Sequence, residues 1–262
     1  MTTITDAELL AGADLSVVDF LVRAAREFRR GGYVFTGFHW PVLAGQVAHA
    51  LEGEPFTQAF EAGAMTHAAG RIVPTSTTDY PAYGNALGYV GTTADILLAM
   101  ARRFDRVVLD ASNVDIRGRV NASYIGDLDR PQVRLPGGGG AADVAARARE
   151  LVWLSGGPDF SRIQASVDHV TSAPGPASLV RLHTRWGIAV LGDDPRLEEL
   201  ADVPGAEAFV AHMSALGVTV GSPAPRGSIT HEERLAAAAV LRDAADRGYQ
   251  VGRRAFAAAT TK

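Results

Sequence analysis

Glu61 is the residue whose surroundings point most directly to chemistry. It closes the run Phe56-Thr57-Gln58-Ala59-Phe60 and is followed at once by the small residues Ala62, Gly63 and Ala64. A carboxylate there can be partly desolvated, and small neighbours leave room for a substrate to reach it, as nucleophilic catalysis requires. The bland reading stands beside this one, since an acid at a strand end is commonly solvated or ion-paired. The run Gly137-Gly138-Gly139-Gly140, after Pro136, also reads two ways. It is either a flexible surface loop or a cradle whose backbone amides meet a carbonyl oxygen or a phosphate. No P-loop lysine follows it, and no G-x-G-x-x-G dinucleotide fingerprint occurs. A third glycine turn, Gly37-Phe38-His39-Trp40-Pro41, places His39 where it could line a cleft.

Other chemistries lack their residues. The chain has no cysteine, which excludes a disulfide scaffold, thiolate metal sites and a thiol nucleophile. Its histidines, His39, His49, His67, His169, His183, His212 and His231, show neither H-x-x-x-H nor H-E-x-x-H spacing, so no metal is expected. No G-x-S-x-G elbow anchors a serine hydrolase triad. Arg71, Arg119 and Arg134 are candidates for holding a dicarboxylate, although surface arginines are usually solvated.

The elements that must position these residues alternate along the chain. The spacing of Val17, Leu21, Ala24 and Phe28 predicts a helix from Ser16 to Arg30, stopped by Gly31-Gly32. Tyr33 to Thr36 reads as a strand, followed by a helix with Pro41 in its first turn. Phe56 to Phe60 is a further strand. Thr92-Thr93 precede a helix carrying Ile96, Leu97, Met100 and Phe104, and Arg106 to Asp110 reads as a buried strand. A helix is expected from Ala141 and a strand over Leu151 to Leu154. A hairpin is expected between Ser178 and Leu191, and a last helix capped by Thr230 and Glu233. Alternating strands and helices imply an open α/β fold in a single domain, 1–262, with 196–262 as a C-terminal helical extension. In such sheets ligands sit beyond the carboxyl ends of the strands, where all three glycine turns fall.

Length and composition are compatible with this. The 262 residues are 47% hydrophobic, with 25 Lys+Arg against 29 Asp+Glu and a net charge of −4. That balance argues against disorder and against nonspecific nucleic-acid binding. Met1 to Leu10 carries no basic region of a secretory signal, and no segment approaches the ~18 apolar residues that span a bilayer. A cytoplasmic location is expected.

Taken together, four stretches resemble the β subunit of the family I CoA-transferases, closest to the glutaconate CoA-transferase type. Gly37-Phe38-His39-Trp40-Pro41 is similar to the family's G-x-G-x-P turn, and Glu61-Ala62-Gly63 to its E-S-G or E-N-G triplet. Ala111 to Asn121 is similar to its G-A-Q-x-D-x-x-G-N-x-N segment, and Gly137 to Asp143 to its G-x-G-G-A-x-D loop. Four motifs in order carry far more weight than any one, and the likeness is strongest over 15–195. The resemblance implies the open α/β CoA-transferase fold (NagB/RpiA/CoA transferase-like), a separate α subunit in an α2β2 heterotetramer, and coenzyme A as part of the substrate, with no metal or redox cofactor. It makes Glu61 the catalytic nucleophile, Gly138, Gly139, Gly140 and Ala141 an oxyanion or CoA-binding loop, and Gly37, Phe38, His39, Trp40, Gly63 and Asn113 a substrate pocket. The acyl group would be small or dicarboxylic. The departures from the family pattern are His39 for glycine, Ala62 for Ser or Asn, Asn113 for Gln and Arg119 for Asn. They leave open an acyl-CoA hydrolase, a ring-opening C–C hydrolase or a decarboxylase that uses His39. A non-catalytic binder of CoA esters is a third reading.

Overall fold

A computed structural model describes residues 5–51, 53–74, 76–79 and 84–257. These divide into two compact units. One contains the chain up to Ile96 together with the stretch from Ser228, and the other is Leu97–Gly227.

The first unit begins with helices α1 (Asp6–Ala11) and α2 (Leu15–Phe28). The cap of α2 is Asp14, whose carboxylate accepts from the Ser16 N–H at 2.9 Å, so the helix starts before the predicted Ser16. It also ends earlier than expected. Arg29 is the C-cap, and Gly31 and Gly32, expected as the helix stop, lie inside strand β1 (Arg30–Thr36) with φ of 79° and 86°. Helix α3 (Trp40–Ala50) follows, with Pro41 in its first turn as predicted, and leads to strand β2 (Glu54–Phe60). β2 lies parallel to β1, with Thr36 opposite Phe60. Strands β3 (Ala64–Thr66) and β4 (Leu87–Val90) add antiparallel to the far side of β2.

Two helices from the end of the chain complete this unit, α6 (His231–Asp246) and α7 (Gln250–Ala257). The predicted capping box of α6 is present. The Glu233 N–H donates to the Thr230 hydroxyl at 3.1 Å, and the Thr230 N–H donates to the Glu233 carboxylate at 3.0 Å. The same carboxylate receives Arg26 at 2.8 Å and Arg29 at 3.0 Å, tying α6 to the end of α2. Burial opposes its ionisation, but the Arg26 and Thr230 hydrogen bonds and the two guanidinium charges outweigh burial and hold it below the usual carboxylate range.

The second unit is built on parallel strands β5 (Arg106–Asp110), β9 (Glu150–Ser155) and β11 (Leu179–Thr184), with β9 in the middle. The predicted hairpin is β11 with β12 (Gly187–Leu191), and β13 (Arg196–Leu200) continues antiparallel. Helix α5 (Ala206–Ala215) and strand β14 (Ala224–Pro225), parallel to β13, follow. The stretch 196–262 is therefore not a purely helical extension. Leu197 is buried along β13, and helix resumes as a long element only at His231. Between β5 and β9 lie β6 (Val114–Asp115), the hairpin of β7 (Tyr124–Gly126) with β8 (Pro131–Arg134), and the five-residue helix α4 (Ala141–Ala145). Strand β10 (Ile163–Gln164) pairs with β6. The helix expected after Thr92 shortens to a wide π-helical turn, Asp95–Ala99, whose start is capped by Thr92 and Asp95. No helix among the described residues is long and apolar enough to cross a membrane.

His49, on α3, stacks on Phe56 with ring centroids 4.0 Å apart. Burial, reinforced by the charge of His67, lowers its pKa from 6.5 to about 4. Between these values the unfolded chain takes up a proton that the folded chain refuses, so stability falls as pH drops through this window. The contribution is on the order of 3 kcal/mol. Urea unfolding at pH 7 and pH 4.5 is expected to show this loss in the wild type and a smaller one in His49→Gln. Equal losses in both proteins would exclude His49 as the cause.

Candidate active site

The predicted site residues fall in both units. Gly37, Phe38, His39, Trp40, Glu61 and Gly63 belong to the first, and Asn113 and Gly138 to Ala141 belong to the second.

In the first unit β1 and β2 run parallel, so both deliver their exit loops to one edge of the sheet. Because Thr36 pairs with Phe60, the loop 37–39 and the turn beginning at Glu61 leave neighbouring strands at the same level. Adjacent strands lie ~4.8 Å apart, which brings the two exits together. Glu61 is half-buried in a tight turn closed by the Gly63 N–H donating to the Phe60 carbonyl at 3.0 Å. Gly63 has φ 108°, and its carbonyl accepts from the Gly91 N–H at 2.9 Å. A Cβ on Gly63 would lie within 2.2 Å of the Gly91 carbonyl oxygen. The glycine is required twice over, for its φ and for the backbone that passes against it.

The neighbouring loop holds a conformation of the same kind on a residue that is not glycine. His39 has φ 62° and ψ −116°, and among the described residues it is the sole non-glycine with positive φ. A bulky side chain there costs about 1–3 kcal/mol. His39 is half-buried, and its ring lies 4.1 Å from that of Phe38, which is 45% exposed. Trp40 behaves otherwise. It is 7% exposed and meets Phe20 edge-to-face at 5.1 Å, so its ring belongs to the packing of α2 against α3 rather than to a pocket wall.

Polar side chains near this edge escaped the sequence reading. Thr36 and Gln58 are fully buried, and so is Thr66, which pairs with Gln58 across β2 and β3. Their Oγ1, Nε2 and Oγ1 atoms have no hydrogen-bond partner among the described residues. Gln46, on α3, donates to the Gln58 carbonyl at 3.3 Å and accepts from the Gly70 N–H at 3.0 Å. The available signal was Gln58 itself, a long polar side chain inside an otherwise strand-like run.

In the second unit the glycine loop is shaped by close approach. A Cβ on Gly138 would lie 2.6 Å from Thr171 Cγ2, and one on Gly140 2.6 Å from Leu97 Cδ1. Gly137 and Gly139 take φ of 95° and 50°. The amides of Gly138 and Gly139 have no partner among the described residues. The amide of Ala141 does not match its expected oxyanion role, because it donates to the Gly138 carbonyl at 2.9 Å and is spent on the turn that starts α4. Asn113 is also committed internally. It is 5% exposed, and its Nδ2 donates to the Asn121 carbonyl at 3.2 Å, so it braces the loop 113–121. Asp115, fully buried, receives the Arg117 and Arg119 N–H groups and the Arg119 guanidinium. This pairing removes Arg119 from the candidates for a dicarboxylate. Arg134 lies over the Tyr124 ring at 5.9 Å. No cluster of three metal-ligating side chains occurs among the described residues.

No protein-family profile matches the chain. Over 140 residues it is 31% identical to the β subunit of 3-oxoadipate CoA-transferase from Pseudomonas knackmussii, covering 50% of each protein, so the chain spans about half the length of that curated relative. Among solved structures it is similar to a variant of the decarboxylase AibA/AibB, at 26% identity and a TM-score of 0.73, over 92% of this chain and 98% of that one. It shares the fold of glutaconate coenzyme A-transferase from Acidaminococcus fermentans, at 19% identity and a TM-score of 0.70, over 92% and 94% of the two chains.

The turn around Glu61 generates a direct test of its construction. Gly63→Ala is expected to destabilise the protein by about 2 kcal/mol or more, since it meets both an unfavourable φ and a backbone clash. Gly84→Ala, with nothing within 4 Å of the added Cβ, is the control and should stay within about 0.5 kcal/mol of wild type. Chemical denaturation compares them, and equal stability of the two variants would mean that the turn is not held as described.

Proposed function

The chain belongs with the β subunits of the family I CoA-transferases, and from that premise we propose that it is the glutamate-bearing subunit of a heteromeric acyl-CoA:carboxylate CoA-transferase. The observation that carries this reading is Glu61, half-buried in a rigid turn at the carboxyl end of a parallel strand. A carboxylate is a weak nucleophile in water, and a fixed, partly desolvated one is the form in which it attacks a thioester.

In the proposed cycle a Glu61 carboxylate oxygen attacks the acyl-CoA carbonyl carbon. The C–S bond breaks to give an acyl–glutamyl anhydride and the CoA thiolate. The thiolate then attacks the Glu61 carbonyl, releasing the first carboxylate and leaving a glutamyl-CoA thioester. An acceptor carboxylate reverses the two steps and departs as the new acyl-CoA. Each tetrahedral intermediate carries an oxyanion, for which preorganised donors are typically worth ~3 kcal/mol apiece. The amides of Gly138 and Gly139 are the proposed donors, with Gly140 in the same loop, and this assignment excludes Ala141. Gly37, Phe38, His39 and Gly63 are retained as proposed pocket residues, whereas the packing of Trp40 and Asn113 argues against that role for them.

The same proposal includes an α subunit, in an α2β2 assembly, a small or dicarboxylic acyl group, one CoA-transferase domain over 1–262, and a cytoplasmic location. CoA enters as substrate, and the cycle as written draws on no metal or redox cofactor. Similarity to a decarboxylase shows that relatives of this fold run other reactions. Transfer is favoured here because the nucleophilic carboxylate is present.

The test uses the α/β complex. Incubation with acyl-CoA followed by hydroxylamine or borohydride is expected to modify Glu61, and Glu61→Gln should lower transfer by more than about a thousandfold. Undiminished turnover in Glu61→Gln, or turnover without modification of Glu61, would overturn the proposal.

A further inference from the structure

His39 holds a backbone conformation that glycine would hold without strain, as the φ of 62° and ψ of −116° show. A side chain kept at such a position must contribute something that glycine cannot. Capping is not the contribution, since His39 precedes α3 as its N-cap residue and makes no side-chain cap hydrogen bond. Nor is it filling of the core, because the residue is half-exposed and its ring rests on the exposed ring of Phe38. What remains is the imidazole as a reagent, at the sheet edge that also carries Glu61.

The chemistry at that edge narrows the role. Exchange between a carboxylate and a thioester moves no proton, so the transfer cycle has no use for a general base. Water is the nucleophile that needs one, because it must lose a proton as it attacks. We propose that His39 is a general base that directs water onto the acyl thioester, giving the complex an acyl-CoA hydrolase activity alongside transfer. This rests on the CoA-transferase reading for its substrate class. In the step, the water oxygen bonds to the thioester carbonyl carbon while a His39 ring nitrogen accepts its proton. The C–S bond then breaks, and the imidazolium returns a proton to the departing thiolate. The products are a free carboxylate and CoA thiol, with one proton released to solvent as the acid ionises.

The experiment measures free thiol release by the α/β complex from a panel of acyl-CoA esters without an acceptor, and transfer with one. His39→Asn tolerates positive φ and keeps a hydrogen-bonding side chain but takes up no proton. It is expected to lower the ratio of hydrolysis to transfer at least tenfold and to abolish the solvent deuterium isotope effect on residual thiol release. His39→Gly should lower the ratio likewise and raise the melting temperature by about 2–4 °C, as relief of the backbone strain predicts. An unchanged ratio in His39→Asn, a lower melting temperature in His39→Gly, or a wild type that transfers but releases no thiol without acceptor would overturn the proposal. A wild type that hydrolyses through His39 but never transfers would overturn the transferase reading and uphold this one. A complex that does neither across the panel would overturn both.

Discussion

Parallel pairing of β1 with β2 is the constraint on which the candidate site depends. Six residue pairs fix the register from Arg30 opposite Glu54 to Thr36 opposite Phe60. Two chain exits therefore reach the same edge without a loop long enough to blur their positions. A slip of one residue would turn Phe60 out of the core and carry Glu61 to the other face. The register is anchored by what lies behind it. Phe60 packs with Val42 and Ala64, and Gln58 fills the space that Gly45 leaves open on α3. The position of Glu61 is thus set by hydrophobic packing and one close helix–strand approach, while the turn itself only needs Gly63.

Much of this was legible in the sequence. The strands at Phe56–Phe60 and Arg106–Asp110, the proline-led helix and the Thr230–Glu233 cap could all be read, because each rests on local chemistry. Gly31-Gly32 misled, since a glycine pair signals freedom of φ but not whether that freedom ends a helix or bends a strand. Trp40 misled differently. Its partner Phe20 lies twenty residues earlier, and no local pattern distinguishes an aromatic that lines a pocket from one that packs two helices. Arg119 and Asn113 were visible as candidate residue types, but their partners Asp115 and Asn121 became evident only with the loop folded around them.

His39 is the intermediate case. The departure from glycine could be read directly, but not whether the backbone had relaxed to suit the new side chain. It has not relaxed. The contrast with Gly63, one strand away, shows two solutions at one sheet edge. One turn keeps glycine and stays unstrained, and the other accepts strain and gains an imidazole.

The division of the chain has a consequence for biogenesis. Leu97–Gly227 is a continuous stretch, whereas the unit carrying Glu61 is built from both ends of the described chain, with α6 locked onto α2 through Glu233. During synthesis the middle stretch can complete itself on the ribosome, but the Glu61 unit must wait for residues beyond Ser228 to emerge. Until then the apolar face of α2 and the helix-facing side of β1 and β2 lack α6. That interval exposes buried surface to wrong partners, and it sets the slowest loop closure of the fold at more than two hundred residues between Arg26 and Glu233.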